Sequence, residues 1–76
     1  MEKYYILDQN NNDVCCIVHA KNEKSALKKY SSRLLTVGLY TIIKENNAYK
    51  LISSYGSNFI AIPCNYKYNG YLTEIL

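Results

Sequence analysis

Residues 22–37 constrain the fold more than any other segment, because there the apolar residues recur at helical spacing over a long stretch. The basic residues of this segment fall mostly on the opposite side. The pattern predicts one amphipathic helix, with Asn22 as its N-cap and Gly38 as its end. The predicted apolar face consists of Ala26, Leu27, Tyr30, Leu34 and Val37, and the basic face consists of Lys21, Lys24, Lys28, Lys29 and Arg33.

The rest of the chain is typical of short β-strands separated by turns. Two β-rich runs, residues 3–8 and 14–20, flank a polar run at residues 9–13. A connection this short joins antiparallel strands, so the sequence predicts a hairpin over residues 2–20.

A second hairpin is predicted after the helix. The runs 39–45 and 48–54 flank Asn46-Asn47, a pair that tolerates the positive φ of a two-residue turn. This loop length sets the register. It places Lys44 opposite Tyr49, Ile42 opposite Leu51, Tyr40 opposite Ser53, Ile43 opposite Lys50 and Thr41 opposite Ile52.

The C-terminal part of the chain predicts a short strand at residues 59–62, ending at Pro63, and then a third hairpin. Asn69-Gly70 is a strong type I′ turn signal. The expected pairs of this hairpin are Tyr68 with Tyr71, Tyr66 with Thr73 and Cys64 with Ile75.

These elements predict a single α+β domain spanning residues 1–76. Its expected architecture is an antiparallel sheet of five or six strands in ββαββββ order, with the amphipathic helix on one face. One helix covers only one face of such a sheet. The other face, with Ile43 and Ile52, is expected to stay uncovered, and exposed apolar patches mark interaction sites.

Composition narrows the location and the chemistry. The 76 residues carry a formal charge of +3, and no apolar run approaches the roughly 18 residues that a membrane helix needs. The first residues lack the apolar core of a signal peptide. Three cysteines form a poor disulfide framework, and strand geometry predicts that Cys15 and Cys16 point to opposite faces. We therefore expect a cytoplasmic protein with no membrane association.

Catalytic and metal-binding signatures are weak, so we expect a protein that is not an enzyme and has no cofactor. The series Asp8, Asn10, Asn12 resembles the start of a calcium loop, but Asp13 stands where glycine is needed and His19 where glutamate is needed. No nucleophile motif surrounds His19. The three glycines are too far apart to form a phosphate-binding loop.

Protein binding is the function that the sequence favours. The candidate binding residues are Ile43 and Ile52 on the uncovered face and a tyrosine cluster of Tyr66, Tyr68 and Tyr71, because tyrosine is enriched at interface hot spots. The partner is expected to be another protein, with a second copy of the chain as the simplest case.

The alternative is binding of nucleic acid or a nucleotide. Lys24, Lys28, Lys29 and Arg33 would neutralise phosphates, and tyrosines would stack on bases. Solvation of an exposed helix face accounts for the same residues.

The segment VxAKNEKSALKKY at residues 18–30, preceded by the predicted hairpin of residues 3–20, resembles small accessory proteins of phages and mobile elements in low-GC bacteria. The resemblance spans about half the chain. Similar ββαββ proteins include anti-CRISPR and other anti-defence factors. The resemblance implies stoichiometric inhibition of a bacterial defence effector in the host cytoplasm. The charge of +3 departs from the acidic DNA mimics among such inhibitors.

Overall fold

A computed structural model describes residues 1–34 and 39–76. It confirms the predicted class: one helix and a six-stranded, mostly antiparallel sheet. Across the sheet the strands follow the order β3-β4-β5-β1-β2-β6. The elements are β1 (Glu2–Asp8), β2 (Asp13–Ala20), α1 (Glu23–Ser31), β3 (Tyr40–Glu45), β4 (Ala48–Ser53), β5 (Asn58–Pro63) and β6 (Glu74–Ile75).

The first two hairpins form as predicted. β1 pairs antiparallel with β2, and β3 pairs antiparallel with β4 in the predicted register, with Ile42 opposite Leu51. Asn46 and Asn47 both adopt positive φ, at 52° and 62°. Asparagine tolerates this left-handed conformation better than most residues, which is why the pair can form the turn.

The helix begins as predicted but ends earlier. The Asn22 side chain accepts a hydrogen bond of 2.8 Å from the backbone N–H of Ser25, which is the expected N-cap. The helix ends at Ser31, six residues short of the predicted end at residue 37. The hydroxyls of Ser31 and Ser32 bond to carbonyls one turn back, at Lys28 and Lys29, and compete with the helical pattern. Gly38, which was predicted to terminate the helix after residue 37, lies outside the described residues.

The core lies between the helix and one face of the sheet. Ala26 and Leu27 are fully buried, and Tyr30 and Leu34 pack against the same cluster. All four belong to the predicted apolar face of the helix; its fifth member, Val37, lies outside the described residues. The sheet contributes Tyr4, Ile6, Cys16, Val18, Ala20, Leu51, Phe59, Ala61 and Ile75.

The predicted third hairpin is wrong. Gly70 has a positive φ, but Asn69 does not, so a type I′ turn is not formed. Residues 64–73 instead cross from β5 over β1 and β2, and β6 then pairs in parallel with β2 at Ile17 and Val18. Burial of Ile75 favours this arrangement, because at the edge of β2 Ile75 pairs with Val18 and joins the core cluster.

Truncation of Leu27 tests this core. We expect Leu27→Ala to lower the free energy of unfolding by about 2–5 kcal/mol, because the side chain is fully buried and its removal leaves a cavity. Urea denaturation followed by circular dichroism measures the change. Lys28→Ala, at the exposed neighbouring position, is the control and should change it by less than about 0.5 kcal/mol. Equal effects of the two substitutions would contradict the position of the helix.

Candidate protein-binding surface

The sheet face opposite the helix carries a row of partly exposed aliphatic side chains, which we call the open face. Side chains alternate between the two faces of a strand. Ile42 and Leu51 point towards the core, so their neighbours Ile43 and Ile52 point to the other face of the sheet. The same alternation adds residues of β5 and β1. The open face consists of Leu7, Ile43, Ile52, Ile60 and Ile62, all partly exposed.

Three of these five residues were not predicted from the sequence: Leu7, Ile60 and Ile62. Ile60 and Ile62 alternate with the buried Phe59 and Ala61 along β5, and Leu7 pairs with Ile60. The alternation was visible in the segment NFIAIP. It could not be assigned to a face, because only the pairing of β5 with β1 decides which residues meet the helix.

The crossing segment 64–73 covers the β1 part of this face. Tyr5 points away from the helix, since its neighbours Tyr4 and Ile6 lie in the core. Its hydroxyl donates to the backbone carbonyl of Tyr66 at 2.6 Å, and its ring lies 4.9 Å from the Tyr66 ring and 6.3 Å from the Tyr68 ring. The segment therefore buries Tyr5 and leaves the β3-β4-β5 part of the face open.

The three predicted tyrosines differ in environment. Tyr66 is about half exposed, Tyr68 is partly buried and Tyr71 is fully exposed. Gly70 leaves room for the Tyr68 ring: a Cβ at position 70 would lie 2.9 Å from that ring, so another residue there would force the ring to move. Tyr68 and Tyr71 line one shallow cleft of about 320 Å³ together with Tyr5 and Lys67.

A small polar cluster holds β6 at the edge of the sheet. His19 Nε2 lies 2.8 Å from Glu74 Oε1, and Lys3 Nζ lies 3.9 Å from the same oxygen. The hydrogen bond with His19 lowers the pKa of Glu74, and the charge of Lys3 contributes. His19 thus has a structural contact, and the described residues contain no group of three metal-ligating side chains.

The basic residues of the helix differ in their surroundings, although Lys28 and Lys29 line one shallow cleft together. Lys24 Nζ lies 5.6 Å from the centroid of the Tyr49 ring, and Lys29 Nζ donates to the backbone carbonyl of His19. Lys28 and Arg33 are exposed. Two of the four candidate phosphate contacts are therefore engaged with the sheet.

The candidate tyrosines and the helix lie on opposite faces of the sheet. Tyr66 and Tyr68 contact Tyr5 on the face away from the helix, whereas the helix packs on the face of Tyr4 and Ile6. A single nucleotide cannot reach both sets. Tyr49, by contrast, lies beside the helix lysine Lys24.

The prediction that Cys15 and Cys16 point to opposite faces is wrong. The register shifts between Ile6 and Leu7, which leaves a β-bulge in β2, and the Cys15 side chain packs with Cys16 against the helix-side cluster. Burial, reinforced by Cys15, raises the pKa of Cys16 to about 11, and burial raises that of Cys15. Both thiols stay protonated near neutral pH and are poor nucleophiles.

Two further observations concern membrane association and similarity to known proteins. None of the helices in the described residues has the length and apolar character needed to cross a membrane. Comparison of the chain with protein-family models, with curated proteins and with solved structures found no match.

The Glu74 cluster makes stability depend on pH. A carboxyl whose pKa is lowered by folding stabilises the fold above its unfolded pKa, near 4.5, and loses that contribution as the pH falls through its folded value. We expect Glu74→Gln to have a lower melting temperature than the unmodified protein at pH 6. The difference should shrink towards pH 3, as measured by thermal scans in matched buffers. A difference independent of pH would contradict the ion pair.

Proposed function

We propose that the protein is a non-enzymatic protein-binding module whose contact surface is the open face. One observation supports this most strongly: five aliphatic side chains stand together, partly exposed, on the side of the sheet that the helix does not cover. Exposed apolar patches rimmed by polar groups are typical of protein interaction sites. Lys50 and Glu45, paired at 3.2 Å, form such a rim.

The edge of the sheet adds a second contact mode. β3 is the outermost strand in the sheet order, so one side of its backbone has no strand partner among the described residues. Its sequence, YTIIKE, has no proline and carries charges only at one end. Edge strands of this kind accept an added strand, which a partner or a second copy can supply.

We further propose that the partner is a bacterial defence effector and that binding inhibits it in the cytoplasm of the host. The basis is the resemblance of residues 18–30 to accessory proteins of phages. The positive charge favours an acidic or neutral partner surface over the basic DNA-binding channels that acidic mimics block.

Substitution of the open face tests the proposal. The protein is expressed in bacterial strains that each carry one active CRISPR or restriction system, and the efficiency of phage plaquing is measured. We expect plaquing to rise in at least one strain. Ile43→Asp with Ile52→Asp should reduce that rise at least tenfold, because buried charges at an interface cost well above 1.4 kcal/mol.

Lys28→Glu, on the outer side of the helix, is the matched control and should keep full inhibition, with circular dichroism confirming that both variants fold. No inhibition in any strain, or full inhibition by the doubly substituted variant, would count against the proposal. Light scattering on the same proteins shows whether the open face also joins two copies.

A salt titration separates this function from nucleotide or nucleic-acid binding through the helix. Contacts with several phosphates weaken linearly on a log–log plot as salt rises, whereas an apolar interface changes little. We expect no binding of single-stranded oligonucleotides or cyclic nucleotides in 20 mM salt. Binding that is lost on Lys28→Glu with Arg33→Glu would favour the alternative.

A further inference from the structure

Strands β4 and β5 are paired over only part of their length. The ladder pairs Leu51 with Phe59 and Ile52 with Asn58. Next to it, where the turn joins the two strands, the N–H of Ser53 donates to the carbonyl of Ser57 at 3.0 Å. In this register the next facing pair would be Lys50 and Ile60, and the next hydrogen-bonded pair would be Tyr49 and Ala61. Neither pair is formed, although each of the two strands continues and pairs with its other neighbour.

A cleft of about 280 Å³ occupies the place where the ladder stops. Ile60, Ala61 and Ile62 all line it, yet successive side chains of a strand point to opposite faces. Ala48 and Tyr49 of β4 line the same cleft, so it borders the parts of β4 and β5 that are not paired with each other. Glu23 of the helix also lines it, and we call it the β4–β5 slot.

Backbone groups of both walls face the slot. Hydrogen-bonded pairs recur at every second residue of an antiparallel ladder. Because Ser53 bonds across to Ser57, and Leu51 faces Phe59, the N–H and C=O of Tyr49 and of Ala61 point towards each other's strand. Pro63, the next residue of β5 with this orientation, has no N–H to leave unpaired.

The two sides of the sheet differ in charge at the slot. On the helix side, Lys24 Nζ and Lys44 Nζ each lie 5.6 Å from the centroid of the Tyr49 ring, and Glu23 is the one charged residue of the lining itself, so these three side chains together carry a charge of +1. On the other side of the sheet, the side chains of Ile60 and Ile62 belong to the open face. The helix side therefore favours an anion, and the open-face side favours an apolar side chain.

We propose that the β4–β5 slot binds an extended peptide of a partner protein, about three residues long, with an acidic side chain on the helix side and an apolar side chain on the open-face side. An extended chain placed between the two strands supplies the backbone acceptors and donors that Tyr49 and Ala61 require, and its side chains alternate between the two faces of the sheet. The unpaired part of β4, about three residues, spans about 10 Å. This inference rests on the proposed protein-binding function and names its ligand.

Amide hydrogen exchange of the free protein is the first test. We expect the amides of Tyr49 and Ala61 to exchange at least tenfold faster than those of Leu51 and Phe59, which lie in the closed part of the ladder. Equally slow exchange at all four amides would mean that the strands are joined along their whole length, and it would overturn the proposal.

Peptide binding is the second test. Two synthetic probes are titrated into isotopically labelled protein: acetyl-Ser-Val-Asp-Val-Asp-Val-amide and its counterpart with lysine at both aspartate positions. We expect the acidic peptide to shift and protect the amides of Tyr49 and Ala61 and to bind at least tenfold more tightly than the basic one. Lys24→Glu should reverse this preference, whereas Lys28→Glu should leave it unchanged.

Shifts confined to other residues, or an absence of binding by both peptides at millimolar concentration, would overturn the slot proposal. The proposed function would survive that result if phage inhibition still depended on Ile43 and Ile52. Conversely, peptide binding in the slot without any inhibition of a defence system would contradict only the assignment of the partner. The slot proposal and the proposed function can therefore be contradicted independently of each other.

Discussion

Burial of one sheet face beneath a nine-residue helix is the interaction on which the rest of the structure depends. Leu27 and Ala26 enter a cluster formed by β1, β2, β4, β5 and β6, and large apolar side chains buried in this way each contribute about 1.5–3 kcal/mol. One short helix is too small to cover a sheet of six strands. The asymmetry between a covered and an uncovered face follows from that size difference.

The C-terminal crossing responds to the same constraint. Residues 64–73 cover Tyr5 and carry Ile75 to the edge of β2, where it joins the core. The crossing protects the β1 side of the uncovered face and leaves the β3-β4-β5 side open. The open face and the β4–β5 slot therefore lie in the same half of the sheet, and a partner protein could contact both with one surface.

The proposed binding role rests on backbone and aliphatic groups and does not use the thiols or the imidazole. The thiols of Cys15 and Cys16 face the buried side of the sheet, and their pKa values are raised. His19 is held by Glu74 at the edge of the sheet. The groups available for contact are backbone N–H and C=O groups of β4 and β5 and the aliphatic side chains of the open face, and protein recognition uses both kinds.

The sequence by itself determined the elements that depend on neighbouring residues. Asn22 caps the helix, and Asn46-Asn47 turns a hairpin whose register follows from loop length. Tertiary structure decided what depends on distant partners: the parallel pairing of β6, the face of Ile60 and Ile62, the bulge that turns Cys15 inward, and the separation of β4 from β5. Asn69-Gly70 had the local signal of a turn, but burial of Ile75 in the core at the edge of β2 outweighed it, because core contacts stabilise more than one turn does.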